Sequence, residues 1–193
     1  MFMHPFLTES WNLLRHKVEV CMRLYHVSDD PGIIKFTPRI TARTDMQQTR
    51  GLVWALEEGG IVNFLVPRQC PRVYYRAAED TTEEDVARFF ASSARQGIAI
   101  ENIWHERMTK ASLYIYEFDG ATFYPADGPM YMVSEQTQIP LSVTKVDNLF
   151  EQLFDRNVEV RILPNLHQLK EAILQSTLRG GMMRSNHAQP KPG

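Results

Sequence analysis

The sequence predicts an α+β fold, a single domain in which helices flank a mixed, mainly antiparallel sheet. Two observations carry this reading. Short stretches of β-branched and aromatic residues in alternation occupy the front of the chain, while helical periodicities are interspersed and then concentrate late, without a regular βαβ repeat. At 193 residues, 44% of them hydrophobic, the chain can bury one sizeable core and asks for no second full domain.

The first predicted strand, Arg23-Leu24-Tyr25-His26-Val27-Ser28, runs into the turn Asp29-Asp30-Pro31-Gly32 and so sets an imidazole and a hydroxyl at the mouth of a sheet. Leu52 to Leu56 and Arg72 to Arg76 read as strands, because Val53-Trp54-Ala55 and Val73-Tyr74-Tyr75 are β-branched or aromatic. Between them lie a short helical turn from Glu58 to Val66 and the breakers Pro67 and Pro71. Thr81-Thr82-Glu83-Glu84 reads as a capping box with Thr81 as N-cap, opening a helix whose Val86, Phe89, Phe90 and Ala94 share one face. Gly97 to Glu101 and Ser112 to Phe118 are the next strands. The latter carries large apolar groups on both faces, which predicts a central position. Val146, Leu149, Phe150, Leu153 and Phe154 recur as a helix stripe that ends at Asn157, a residue tolerant of the left-handed cap. Val158, Val160 and Ile162 then alternate with Glu159 and Arg161 as a half-buried strand. A last helix runs from Leu166 to about Leu178, with Leu169, Ile173 and Leu174 inward.

The globular body is expected over 22–184. Residues 1–21 read as an N-terminal extension, and Met22 as the biological start. Codons for Val18-Glu19-Val20-Cys21 can hold a purine-rich ribosome-binding run just upstream, so a mass spectrum of the native protein containing peptides from Met1 to Val20 would refute that start. Residues 185–193 hold one alanine as their sole apolar side chain and are expected to form a loose, disordered tail.

Charge and composition exclude several classes. The 21 Lys and Arg are scattered among 23 Asp and Glu for a net charge of −2, so no face is basic enough to grip a phosphate backbone and nucleic acid is not an expected partner. Cys21 and Cys70 have no metal-ligand spacing and fit plain thiols in a reducing cytoplasm. The six histidines show no H-E-x-x-H or H-x-H pairing, so no metal is expected. No apolar run approaches the roughly 18 to 20 residues that span a bilayer. Gly59-Gly60 is a lone pair better suited to a turn than to a phosphate cradle.

Distributed short motifs give a more specific signal: Leu24-Tyr25-His26-Val27-Ser28, Pro38-Arg39, Val53-Trp54-Ala55, Pro67-Arg68, Cys70-Pro71-Arg72-Val73, Leu113-Tyr114 with Tyr116-Glu117-Phe118, Val133-Ser134 with Pro140, and Ile162-Leu163-Pro164. On these, 22–178 resembles a family of small bacterial proteins of unknown function. A more distant likeness is to the ADP-ribosyltransferase fold. There an opening strand supplies a Tyr-His-Ser/Thr signature whose histidine bonds the NAD ribose, a second strand supplies an aromatic residue against the nicotinamide, and a later strand supplies a glutamate. His26 and Ser28 look like the first element and Trp54 like the second. In the third, the glutamate slot falls nearer Tyr131 to Ser134, with Glu135 beyond it.

The chemistry explains that demand for a carboxylate. Breaking the nicotinamide–ribose bond builds positive charge on the sugar, which a nearby carboxylate stabilises while it takes or orients the nucleophile's proton. The resemblance thus implies His26 and Glu135 as catalytic residues, with His26, Ser28 and Trp54 on the nucleotide. Arg39, Arg68 and Arg72 sit beside or close to prolines, where loops present rigid forks to anions, and one of them is expected on a pyrophosphate. Glu135 serves only if its strand is offset by one pleat. Two readings follow: an NAD- or nucleotide-using transferase of ADP-ribosyltransferase type, or a non-catalytic module for a small ligand or protein on a degenerate version of that fold. The second gains if Ser134 takes the glutamate slot and side chains fill the cleft. A metal-dependent hydrolase has little support in the histidine spacing.

Overall fold

The structure is a computed structural model, and it describes residues 22–40, 49–126 and 130–191. The N-terminal extension 1–21, with Cys21, lies outside the described residues. In chain order the elements are β1 (Arg23–Ser28), β2 (Val53–Leu56), β3 (Arg72–Arg76), α1 (Glu83–Phe89), β4 (Gln96–Glu101), α2 (His105–Lys110), β5 (Leu113–Asp119), β6 (Tyr124–Pro125), β7 (Tyr131–Ser134), β8 (Ser142–Val146), α3 (Leu149–Phe154), β9 (Val158–Leu163), α4 (His167–Leu174) and β10 (Arg179–Met183). A 3-10 segment, Glu58–Phe64, follows β2.

The alternation of side chains is satisfied by two sheets. The larger has the order β6-β7-β2-β1-β5-β8 and is antiparallel throughout. β5 lies inside it, the position its two apolar faces require. The smaller has the order β10-β3-β4-β9, with β4 and β9 parallel and the remaining pairs antiparallel. The mixed, mainly antiparallel α+β architecture is therefore present, divided between two sheets where the sequence suggested one.

Three apolar layers result. Ile98 and Ile100 of the small sheet meet Leu113 and Ile115 of the large one, together with residues of the 3-10 segment, α2 and α3. The other face of the small sheet packs Tyr75 and Ala99 against Phe89, Leu166 and Ile173 of the α1 and α4 regions. The other face of the large sheet holds Leu24, Val53, Ala55, Tyr116 and Phe118, and the loop residue Phe36 with Phe123 covers it. That third layer is roofed by irregular chain, and it is where His26 sits.

Several local expectations shift. The N-cap of α1 is Thr82, whose side chain accepts from Asp85 N, while Thr81 Oγ1 accepts from Ala78 N and donates to Thr177 O. α1 ends at Phe89, so Ala94 reaches the same core from beyond the helix. Val146 closes β8 and does not begin a helix, because pairing with Leu113 already buries it. Asn157 does adopt the left-handed conformation, at φ 54°. Leu174 is 62% exposed, since α4 ends there and its inward face is carried by Leu169 and Ile173. The segment expected as a disordered tail carries a 3-10 turn at Ser185–His187, and Gln189 N donates to Glu101 at 2.9 Å. No helix among the described residues is long and apolar enough to cross a membrane.

Candidate functional site

The large sheet parts between β1 and β2. All six residues of β1 pair with β5, whereas β1 and β2 are in register only at Tyr25 and Leu56. Beyond that pair the backbone groups of β2 need another partner. His26 supplies one: its Nδ1–H donates to the Trp54 carbonyl at 3.0 Å, across the place where the ladder ends. A carbonyl can only accept, so this bond fixes the tautomer and leaves Nε2 of the neutral ring as an acceptor. Nε2 makes no hydrogen bond to another described residue. Burial holds the imidazole below its ordinary pKa; the Trp54 bond acts the other way and the Arg68 charge adds to the lowering. At neutral pH the ring is an uncharged acceptor.

The ring's surroundings come from loop 29–40. Phe36 lies 4.9 Å from the His26 ring and makes edge contacts with Tyr116 and Phe118 at 5.2 and 5.0 Å. Tyr116, opposite His26 on β5, donates its hydroxyl to Asp30 O at 2.6 Å and accepts from Ile33 N at 3.1 Å. The loop is thereby pinned over the sheet face, and the Phe36–Gln138 backbone bridge fixes its far side. Ser28 Oγ is used locally, accepting from Asp30 N at 3.1 Å. Sequence reasoning missed Phe36, Tyr116 and Gln138 as site residues. A loop packed flat on a sheet has no sustained periodicity, and the only signal was the short apolar group Ile33, Ile34 and Phe36 between Gly32 and Pro38.

The other predicted residues divide into separate places. Val53 and Ala55 share the Phe36 layer, so Trp54, between them on β2, points to the opposite face from His26. Its indole is half-buried, edge-on to Tyr131 at 6.0 Å, with Nε1 buried and unpartnered. The expected meeting of imidazole and indole in one hollow does not occur. Arg72 is 4% exposed and committed: Nε donates to Asn63 Oδ1 and one terminal nitrogen to Cys70 O, at 3.1 and 3.2 Å, while the guanidinium lies over Phe64. Burial brings its pKa down to about 10, and the fork ties the 3-10 segment to β3 from inside the fold. Arg39 is exposed in a backbone bridge with Leu52. Arg68 stands nearest the His26 side, in an exposed ion pair with Asp29 at 3.2 Å.

The carboxylate position is resolved by register. Ser134 pairs with Val53, on the His26 face, and is fully buried, with its hydroxyl bonded to Gln138 Nε2 at 2.9 Å and Thr122 Oγ1 at 3.3 Å. Glu135, one residue on, is exposed; it takes a salt bridge from Arg50 at 3.1 Å and the Tyr124 hydroxyl at 3.1 Å. The one-pleat offset that would have turned Glu135 towards His26 is absent. Among the described residues no group of three or more His, Cys, Asp or Glu is placed to hold a metal ion.

Residues 25–188 match the family of unknown function DUF6886, and the chain belongs to that family. No curated protein and no solved structure matches the chain.

Proposed function

We propose that the chain is a non-catalytic binding module for a small hydroxyl-bearing ligand of the nucleotide class, on a degenerate version of the ADP-ribosyltransferase frame. The observation that carries this is His26: its Nδ1–H is spent on the Trp54 carbonyl where β1 and β2 part, and Nε2 is left to accept from a hydroxyl such as that of a ribose. Arg68 is the nearest cation for a phosphate, exchanging its exposed partner Asp29 for the ligand. Ser28 and the pinned loop 29–33 form the adjoining rim.

Group transfer from NAD does not fit these residues. The side chain facing inward at the glutamate slot is Ser134, sealed by Gln138 and Thr122, and the indole expected against nicotinamide lies across the sheet from the imidazole. Without a carboxylate beside the ribose, nothing stabilises the developing oxocarbenium charge. Calorimetric titration with NAD, ADP-ribose and AMP tests both parts. Binding that His26→Ala abolishes, that Glu135→Gln leaves unchanged, and that releases no nicotinamide is the expected result. Absence of heat and of any thermal shift with all three ligands at millimolar concentration overturns the binding site. Nicotinamide release lost in Glu135→Gln would restore the transferase reading.

A further inference from the structure

The chain after β10 returns across the carboxyl ends of the parallel pair β4 and β9, far in sequence from the His26 loop. There, both polar groups of Gln189 are read by side chains: its N–H donates to Glu101 Oε1 at 2.9 Å, and its C=O accepts from His167 Nε2 at 2.9 Å. Pro190 follows, with φ fixed and no N–H to satisfy. Lys191 Nζ then meets Glu171 Oε1 at 2.8 Å. His167 and Glu171 stand four apart on α4 and so share one face, which lines up two contacts for an extended segment.

We propose that this face is a peptide-docking groove, occupied in cis by the chain's own segment 188–191, whose exchangeable ligand is an extended peptide carrying a Pro-Lys pair. Glu101 is the observation that distinguishes a groove from an ordinary tie. It ends β4, is fully buried, and its Oε2 has no partner. Oε1 receives its N–H from Gln189, an exposed residue, so a carboxylate sunk in the fold depends on a surface segment for a donor. Reading a main chain through its N–H and C=O, with a surface carboxylate, here Glu171, facing one side chain, is how extended peptides are recognised.

The test titrates the dye-labelled peptide Ala-Gln-Pro-Lys-Pro-Gly against the full chain by fluorescence anisotropy. Gln189→Pro removes the donated N–H and vacates the groove. This variant binds the peptide saturably, at least about tenfold more tightly than the unaltered chain, whose own segment competes at an effective concentration on the order of millimolar. Adding Glu171→Lys weakens that binding, and a peptide with Glu in place of Lys recovers it. Flat anisotropy with the folded Gln189→Pro chain, or indifference to the charge swap, overturns the proposal. Should Gln189→Pro lose its circular dichroism, amide exchange on the unaltered fold decides instead. The Gln189 amide must then exchange several-fold more slowly than exposed neighbours, faster in Glu171→Lys and slowly again in Glu171→Lys with Lys191→Glu; any other pattern overturns the groove.

Discussion

A histidine held neutral with one nitrogen committed makes stability respond to its proton, and on the proposed function ligand affinity responds to the same one. The folded pKa of His26 lies below its ordinary 6.5 because burial opposes the charge. Between those two values the unfolded chain binds more protons, so stability contributed by the neutral ring is whole above about pH 6.5 and lost as pH falls through the folded value. Urea midpoints measured from pH 7.5 to 5 should decline, and His26→Gln, which can still donate to the Trp54 carbonyl, should flatten the decline over that window. Nucleotide binding should weaken over the same range. Arg72 supplies a contrast. Removing it leaves Asn63 Oδ1 and the Cys70 carbonyl without donors, so Arg72→Met should cost about 2–3 kcal/mol in denaturant unfolding. Nucleotide affinity should stay unchanged, as befits a structural cation.

Elements form where local chemistry and packing agree, and α1 shows how finely the two can differ. Thr82 caps the helix through Asp85 N, and Asp85 in turn accepts from the backbone and hydroxyl of Thr177, so the cap is shared with the turn before β10. Thr82→Ala should cost about 1 kcal/mol of thermal stability. With Thr81 and Thr82 adjacent, and acids three residues after each, the sequence carries two overlapping capping signals. Tertiary contact with Thr177 selects the second. Strands such as Arg72–Arg76 were legible because β-branched and aromatic residues declare themselves locally, whereas Val146 completed an apparent helical stripe by coincidence of spacing and is drawn into β8 by Leu113. The candidate site was legible only in part for a related reason. Residue type marked His26 and Trp54 as chemically able, but alternation about Val53 and Ala55 puts them on opposite faces, and that follows from pairing partners no single strand reveals. β10 carries two glycines and escaped pattern reading altogether; at Gly180 a Cβ would lie 2.3 Å from the Tyr74 carbonyl oxygen, so the residue that weakens the strand signal is the one that permits the pairing.

At the scale of the molecule, the two sheets are coupled through buried groups that no local opening should expose. Cys70 sits fully buried between the 3-10 segment and β3, and burial pushes its thiol up to about 12, so native Cys70 is both shielded and protonated. In a chain with Cys21→Ser, thiol labelling therefore reports opening of the shared core. Gly97 gives a way to move that equilibrium from the opposite side of the small sheet. A Cβ there would lie 2.3 Å from Cζ of Tyr75, a fully buried ring whose neighbours include Phe89 and Phe90 at 6.4 and 5.3 Å between centroids. The ring cannot shift without displacing α1, so Gly97→Ala should destabilise by about 2–3 kcal/mol. If the sheets open as one unit, Cys70 labelling in native buffer should accelerate roughly 30- to 160-fold, matching the loss measured by urea, because the labelled population then tracks the global equilibrium. A labelling rate indifferent to Gly97→Ala would instead make the Cys70 region an independently opening unit, and the two-sheet core would not be one cooperative structure.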